Sequence, residues 1–149
     1  MKDRYMLSSA AVQEKLLNAS NIEDFYKENE DNMLEASLSE YLTDQLYKKN
    51  LTVTDVVKDS GEQKAYVHQI IYGKRKNPSR NKLIAIAFGL HLNAEETQRM
   101  LKLGGCSELY ARKGREAMIL FCINKGLSIF ETDDMLYENG FDTILPSKE

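Results

Sequence analysis

The sequence predicts an all-α protein, and three observations carry that reading. Four polar residues each have a carboxylate three positions on: Ser37 with Glu40, Thr52 with Asp55, Asn93 with Glu96 and Ser128 with Glu131. This is the capping-box pattern, in which two side chains satisfy backbone groups left open at a helix start. Behind the boxes, apolar residues recur at helical spacing. Glycines punctuate the stretches between, and 149 residues contain only two prolines to interrupt them.

The elements follow in order. Residues 1–36 read as a short acidic N-terminal arm, partly helical or flexible. Val12, Leu16 and Leu17 support a helical turn or two. NIEDFYKENEDNMLE then sets Glu23, Asp24, Glu28, Glu30, Asp31 and Glu35 around Phe25, Tyr26, Met33 and Leu34, which predicts a short helix. From Ser37 the pattern sharpens. Leu38, Leu42 and Leu46 line one face of a helix running to about Lys49. Thr52 caps a second helix, Val53 to Asp59, which Gly61 ends. A third spans Gln63 to Tyr72 and closes at Gly73; the basic loop KRKNPS follows. Ser79 opens a fourth, Arg80 to Phe88, with Leu83, Ile84 and Ile86 to bury. A fifth starts at Asn93 and ends before Gly104-Gly105. A sixth covers Lys113 to Asn124. Its run AMILFCI has the length of a buried strand, but no second strand exists to pair with it, so it is expected to be the most buried helix. A seventh runs from Ser128 to Gly140. The stretches KKNLTVTDVVKDSG and NKGLSIFETDDMLYENG are weakly alike and read as two helix–turn–helix corners.

Charge is distributed unevenly. Residues 1–47 hold four basic and ten acidic side chains, residues 48–102 eleven and five, and residues 103–149 five and eight. The basic middle concentrates further. From Gly61 to Lys82, Lys64, Lys74, Arg75, Lys76, Arg80 and Lys82 face one acid, Glu62, in a protein of net charge −3. Such asymmetry suits a polyanionic partner, or else an uneven solvated surface.

Other classes find little support. The two cysteines, Cys106 and Cys122, make no disulfide framework and suit a reducing compartment. With His68 and His91 they show no paired zinc spacing, so no metal or other cofactor is expected. No catalytic motif is present, so no enzyme is expected. The start MKDRYMLSSAAVQEK does not read as a signal peptide, and no run approaches the ~18 apolar residues of a membrane span. The expectation is a cytoplasmic protein with no membrane partner.

The stretch LTVTDVVKDSGEQKAYVHQIIYGKRKNPS has a short helix, a glycine turn and a second helix. Here the chain resembles the Cro and lambda-repressor-like (XRE-type) helix-turn-helix DNA-binding family. The marks are Leu51-Thr52, Val56, Ser60-Gly61, Val67, Ile70, Gly73-Lys74-Arg75 and Asn77-Pro78-Ser79, within roughly Leu38 to Leu92. Val53, Val57 and Glu62 depart from the family pattern, where a polar, a small and an apolar residue are usual. The resemblance implies a five-helix repressor-like bundle over residues 37–103, with residues 104–149 as a C-terminal helical extension packed on the same core. It also implies a bacterial or phage transcriptional regulator.

Helix geometry agrees on the face. At about 100° per residue and with Lys64 at zero, His68, Ala65 and Gln69 fall near 40°, 100° and 140°, while Val67 and Ile70 fall near 300° and 240°, on the other side of the helix. A small residue permits close approach to bases, Gln bonds adenine in two places and Lys bonds guanine. The resemblance implies that Lys64, Ala65 and Gln69 of the helix 63–72 read bases, with Gln63 and His68 behind them. Thr52, Tyr66, Lys74, Arg75, Lys76 and Arg80 are the expected phosphate ligands. Arg112, Lys113 and Arg115 gather at one helix start and form a second candidate anion site, with a solvated helix start as its rival reading. The expected partners are double-stranded DNA, a second copy of the chain as a homodimer, and a protein partner of the acidic arm. The alternative is a protein-interaction adaptor or antitoxin-like module with a degenerate helix-turn-helix, whose acidic arm grips a basic partner.

Overall fold

The computed structural model describes residues 9–29, 37–75 and 77–146. Among them all regular structure is helical. The order is α1 Ser9–Leu17, α2 Ile22–Glu28, α3 Leu38–Lys48, α4 Val53–Ser60, α5 Lys64–Ile71, α6 Arg80–Gly89, α7 Ala94–Leu103, α8 Gly114–Lys125 and α9 Ile129–Glu138. The protein is all-α. No helix among the described residues is long and apolar enough to cross a membrane. Glu30, Asp31, Met33, Leu34 and Glu35 of the arm, and Lys76 of the basic loop, lie outside the described residues.

The chain divides into two units, Met1–Ser37 and Leu38–Glu149. In the first, α1 and α2 pack together. Asn21 caps α2 by accepting from the Asp24 N–H at 2.8 Å. Phe25 is buried and Tyr26 exposed, as are Leu16 and Leu17.

In the second unit α6 is the central helix. Every residue from Leu83 to Gly89 is buried, and α6 packs on α4, α7 and α9. The reason lies in its composition: large Leu83, Ile84, Ile86 and Phe88 are interleaved with Ala85, Ala87 and Gly89, so neighbours close in from several sides. Gly89 marks where the α4 backbone closes in, since a Cβ there would sit 2.7 Å from the Val56 carbonyl oxygen. Thus α6, and not the AMILFCI helix, is the most buried. In α8, Ile119, Cys122 and Ile123 are buried, Met118 and Leu120 are half-buried and Phe121 is 53% exposed. Its neighbours α7 and α9 cover only one stripe of it.

One buried cluster joins Tyr41 and Leu42 of α3, Val56, Val67, Ile70, Ile71, the α6 residues, Met100, Leu101, Ile119, Cys122, Ile129, Leu136 and Ile144. Polar bonds stitch its rim. The Tyr41 hydroxyl donates to the Glu96 carbonyl at 3.0 Å, and Lys49 Nζ pairs with Glu96 Oε1 at 3.1 Å, joining α3 to α7. Gln98 brackets the backbone of Leu109, and the Asp133 carboxylate accepts from the N–H groups of Ile144 and Leu145.

Capping boxes with both hydrogen bonds open α4 at Thr52, α7 at Asn93 and α9 at Ser128. The two similar corners close alike. Asn50 and Gly126 are left-handed, and the next N–H, of Leu51 and Leu127, reaches back to the carbonyl of Leu46 and Cys122.

Candidate nucleic-acid interface

The turn of Gly61, Glu62 and Gln63 joins α4 to α5. On α5, Val67, Ile70 and Ile71 are buried. Lys64 and Ala65 are exposed, and Tyr66, His68 and Gln69 are half-buried on the outer side. The structure therefore brings the expected base readers to one side of a helix whose other side enters the core. Gln63 stands at the start of α5 without a side-chain capping bond. The His68 and Tyr72 rings lie 5.6 Å apart at the other end.

The loop after α5 folds back on it. Gly73 has φ 74°, and the N–H groups of Lys74 and Arg75 both donate to the Gln69 carbonyl, at 2.8 and 3.1 Å. Arg75 Nε–H also donates to Gln69 Oε1 at 3.0 Å. Its guanidinium lies 4.5 Å from the Tyr66 ring centre, and Lys82 Nζ lies 5.0 Å from the same ring. Lys82 in turn pairs with Glu62 Oε2 at 2.8 Å. Tyr66, Gln69, Arg75, Lys82 and Glu62 thus form one continuous cluster along the flank of α5.

This sorts the basic residues between Gly61 and Lys82. Lys82 is neutralised by Glu62. Arg80, one of the phosphate ligands read from the sequence, is committed inside the protein. Its Nη1 and Nη2 bond both oxygens of Glu116 at 2.9 and 3.0 Å, while Nε and Nη2 reach the carbonyls of Ser107 and Glu108. Lys64, Lys74 and Arg75 are exposed and carry no ion pair among the described residues. Thr52 spends its hydroxyl oxygen on the Asp55 N–H at 3.2 Å. The Thr52 N–H, which donates to Asp55 Oδ2 at 2.9 Å, and after it the Thr52 side chain hold the Asp55 carboxyl below its usual range.

The second candidate anion site is not built as read. Arg115 turns to the Asp142 and Thr143 carbonyls and to Asn81 Oδ1. The start of α8 already holds a negative group, because Glu116 lies three residues in and accepts from the Tyr110 N–H at 2.6 Å. The Arg80 hydrogen bonds, helped by that N–H and opposed by burial, hold its carboxyl at about 2. Arg112 and Lys113 remain as exposed side chains beside it. Among the described residues no three His, Cys, Asp or Glu side chains converge as a metal site would require.

Sequence reading misses the pairs Glu62–Lys82 and Arg80–Glu116, which lie twenty and thirty-six residues apart. The Gln69–Arg75 contact leaves a trace, six residues spanning a glycine turn. Comparisons with family models, curated proteins and solved structures return no match for this chain.

Proposed function

We propose that this chain is a sequence-specific DNA-binding regulator of transcription, built on a repressor-like helix-turn-helix in which α5 enters the major groove. One observation carries the reading. The outer side of α5 presents Lys64, Ala65, His68 and Gln69, with Lys74 and Arg75 unneutralised at its end, in a chain that is otherwise acidic. The major groove admits one helix, and its base edges are read by such side chains. Lys64 donates to guanine, Ala65 allows close approach, and Lys74 with the Thr52 hydroxyl contacts phosphates on either side. Arg80 and Lys82 hold the scaffold instead. A dimer would present two α5 helices to half-sites about 34 Å apart.

Selection of bound duplexes from a random library at moderate salt tests this, with Lys64→Ala/Gln69→Ala as control. An enriched inverted repeat that the double variant loses supports a dimeric reader, and an enriched single site supports a monomeric one. No enrichment, with weak binding only at low salt, would overturn DNA reading in favour of an adaptor whose acidic arm holds a protein partner.

A further inference from the structure

We propose that Arg75 is a positioning residue that turns the Gln69 carboxamide so that it reads acceptor edges, guanine or thymine, and not adenine. The inference rests on the DNA-reading role of α5 and concerns the letter read at one position.

Arginine has only donors, so the Gln69 atom facing Arg75 Nε at 3.0 Å is the carbonyl oxygen and the free end is the NH2 group. Arg75 is held there from three sides. Its own backbone N–H is bonded to the Gln69 carbonyl, its guanidinium rests on the Tyr66 ring, and Gly73 fixes the turn that returns it to α5. Tyr66 is itself seated by Lys82, whose charge is answered by Glu62. Gln69 is therefore not free to choose its orientation.

Adenine recognition by glutamine needs both ends of the carboxamide against one base edge, the oxygen accepting from N6 and the nitrogen donating to N7. Here the oxygen already accepts from the Arg75 guanidinium. That leaves the NH2 group as the end free to donate, which suits guanine, with acceptors at both O6 and N7, or thymine O4 over adenine, whose N7 acceptor stands beside the N6 donor. Arg75 sits in the basic loop, where a phosphate ligand is the simpler role. That role and the positioning role predict different results when Arg75 is changed.

The test uses the full chain in library selection. Gln69→Ala first identifies the operator position that Gln69 reads, as the one whose preference relaxes. The wild type is expected to select guanine or thymine there. Arg75→Met keeps an apolar stem on Tyr66 and deletes the donor at an exposed site, so the fold is retained, which circular dichroism checks. It is expected to raise adenine at that position by about tenfold relative to the wild-type letter, the scale of one good base contact. Adenine selected by the wild type would overturn the inference. So would an Arg75→Met protein that binds every sequence more weakly with the letter unchanged, since Arg75 would then be a phosphate ligand only. Failure of the wild type to select any sequence would instead remove the DNA-reading role on which the inference rests.

Discussion

Lys82 Nζ lies 2.8 Å from Oε2 of Glu62, whose side chain is only 4% exposed. Glu62 stands in the turn between α4 and α5, where the resembled family carries an apolar residue. It is buried as an apolar residue would be, and α6 supplies the charge that makes this tolerable. A buried carboxylate stripped of its partner is far more costly than the pair is stabilising. Lys82→Met should therefore destabilise the protein by about 3 kcal/mol. Glu62→Leu/Lys82→Met, which removes both charges, should come close to the wild type. Urea midpoints of the two variants decide the matter; an equal loss in both would mean that Lys82 acts through packing alone.

The Arg80–Glu116 pair predicts an acid limb in stability. Glu116 sits at about 2 in the folded protein, against 4.5 for the free group, chiefly through its Arg80 hydrogen bonds. A depressed carboxyl contributes stability above its unfolded value and loses it as pH falls toward its folded one. The window thus runs from about pH 5 down to pH 2, and the contribution is about 2–3 kcal/mol. Arg80 stays charged throughout, its own value raised by the same hydrogen bonds. Glu116→Gln should lower stability at neutral pH and flatten the profile across that window. A profile as steep as the wild type's would assign the acid limb to other carboxylates.

The same two pairs show what the sequence made legible. Helix order, the Thr52, Asn93 and Ser128 boxes and the apolar side of α5 depend on residues three or four apart, and all could be read directly. Arg80 looked like a phosphate ligand because a charge count sees a neighbour only along the chain. Glu116, thirty-six residues away, cancels it. Burial departs from the sequence pattern for a related reason. AMILFCI and the α6 run LIAIAFG are equally apolar, and what separates them is the small residues of α6, which let α4 approach within contact of Gly89.

Gly61 ends α4 at φ 71°, and Gly126 ends α8 at φ 73°. Both tolerate a left-handed turn that a side chain strains by about 1 kcal/mol. Their surroundings differ. A Cβ on Gly61 would lie 2.6 Å from Leu145 Cδ1 and 3.2 Å from the Phe130 ring, whereas a Cβ on Gly126 meets nothing within 4 Å. Gly61→Ala should thus cost about 1–2 kcal/mol more than Gly126→Ala, the scale of an overpacked contact. Thermal unfolding of the two variants measures the difference directly. Equal losses would show that Phe130 and Leu145 yield without resistance, and that α9 and the segment after it do not constrain the α4–α5 turn.

Exposed charge and neutralised charge respond differently to salt. Each phosphate contact released by salt contributes about one unit to the slope of log affinity against log salt. Lys74 is exposed at the end of α5 and has no ion pair among the described residues, so Lys74→Ala should weaken DNA binding across all sequences and reduce that slope by about one. Arg112 is equally exposed, but the helix start beside it already holds the ionised Glu116 bound to Arg80. A phosphate brought there would meet a carboxylate of its own sign, so Arg112→Ala should leave the slope unchanged. Titrations at several salt concentrations compare the two variants. A fall in slope with Arg112→Ala would restore the start of α8 as a phosphate seat, and an unchanged slope with Lys74→Ala would move the DNA backbone away from the end of α5.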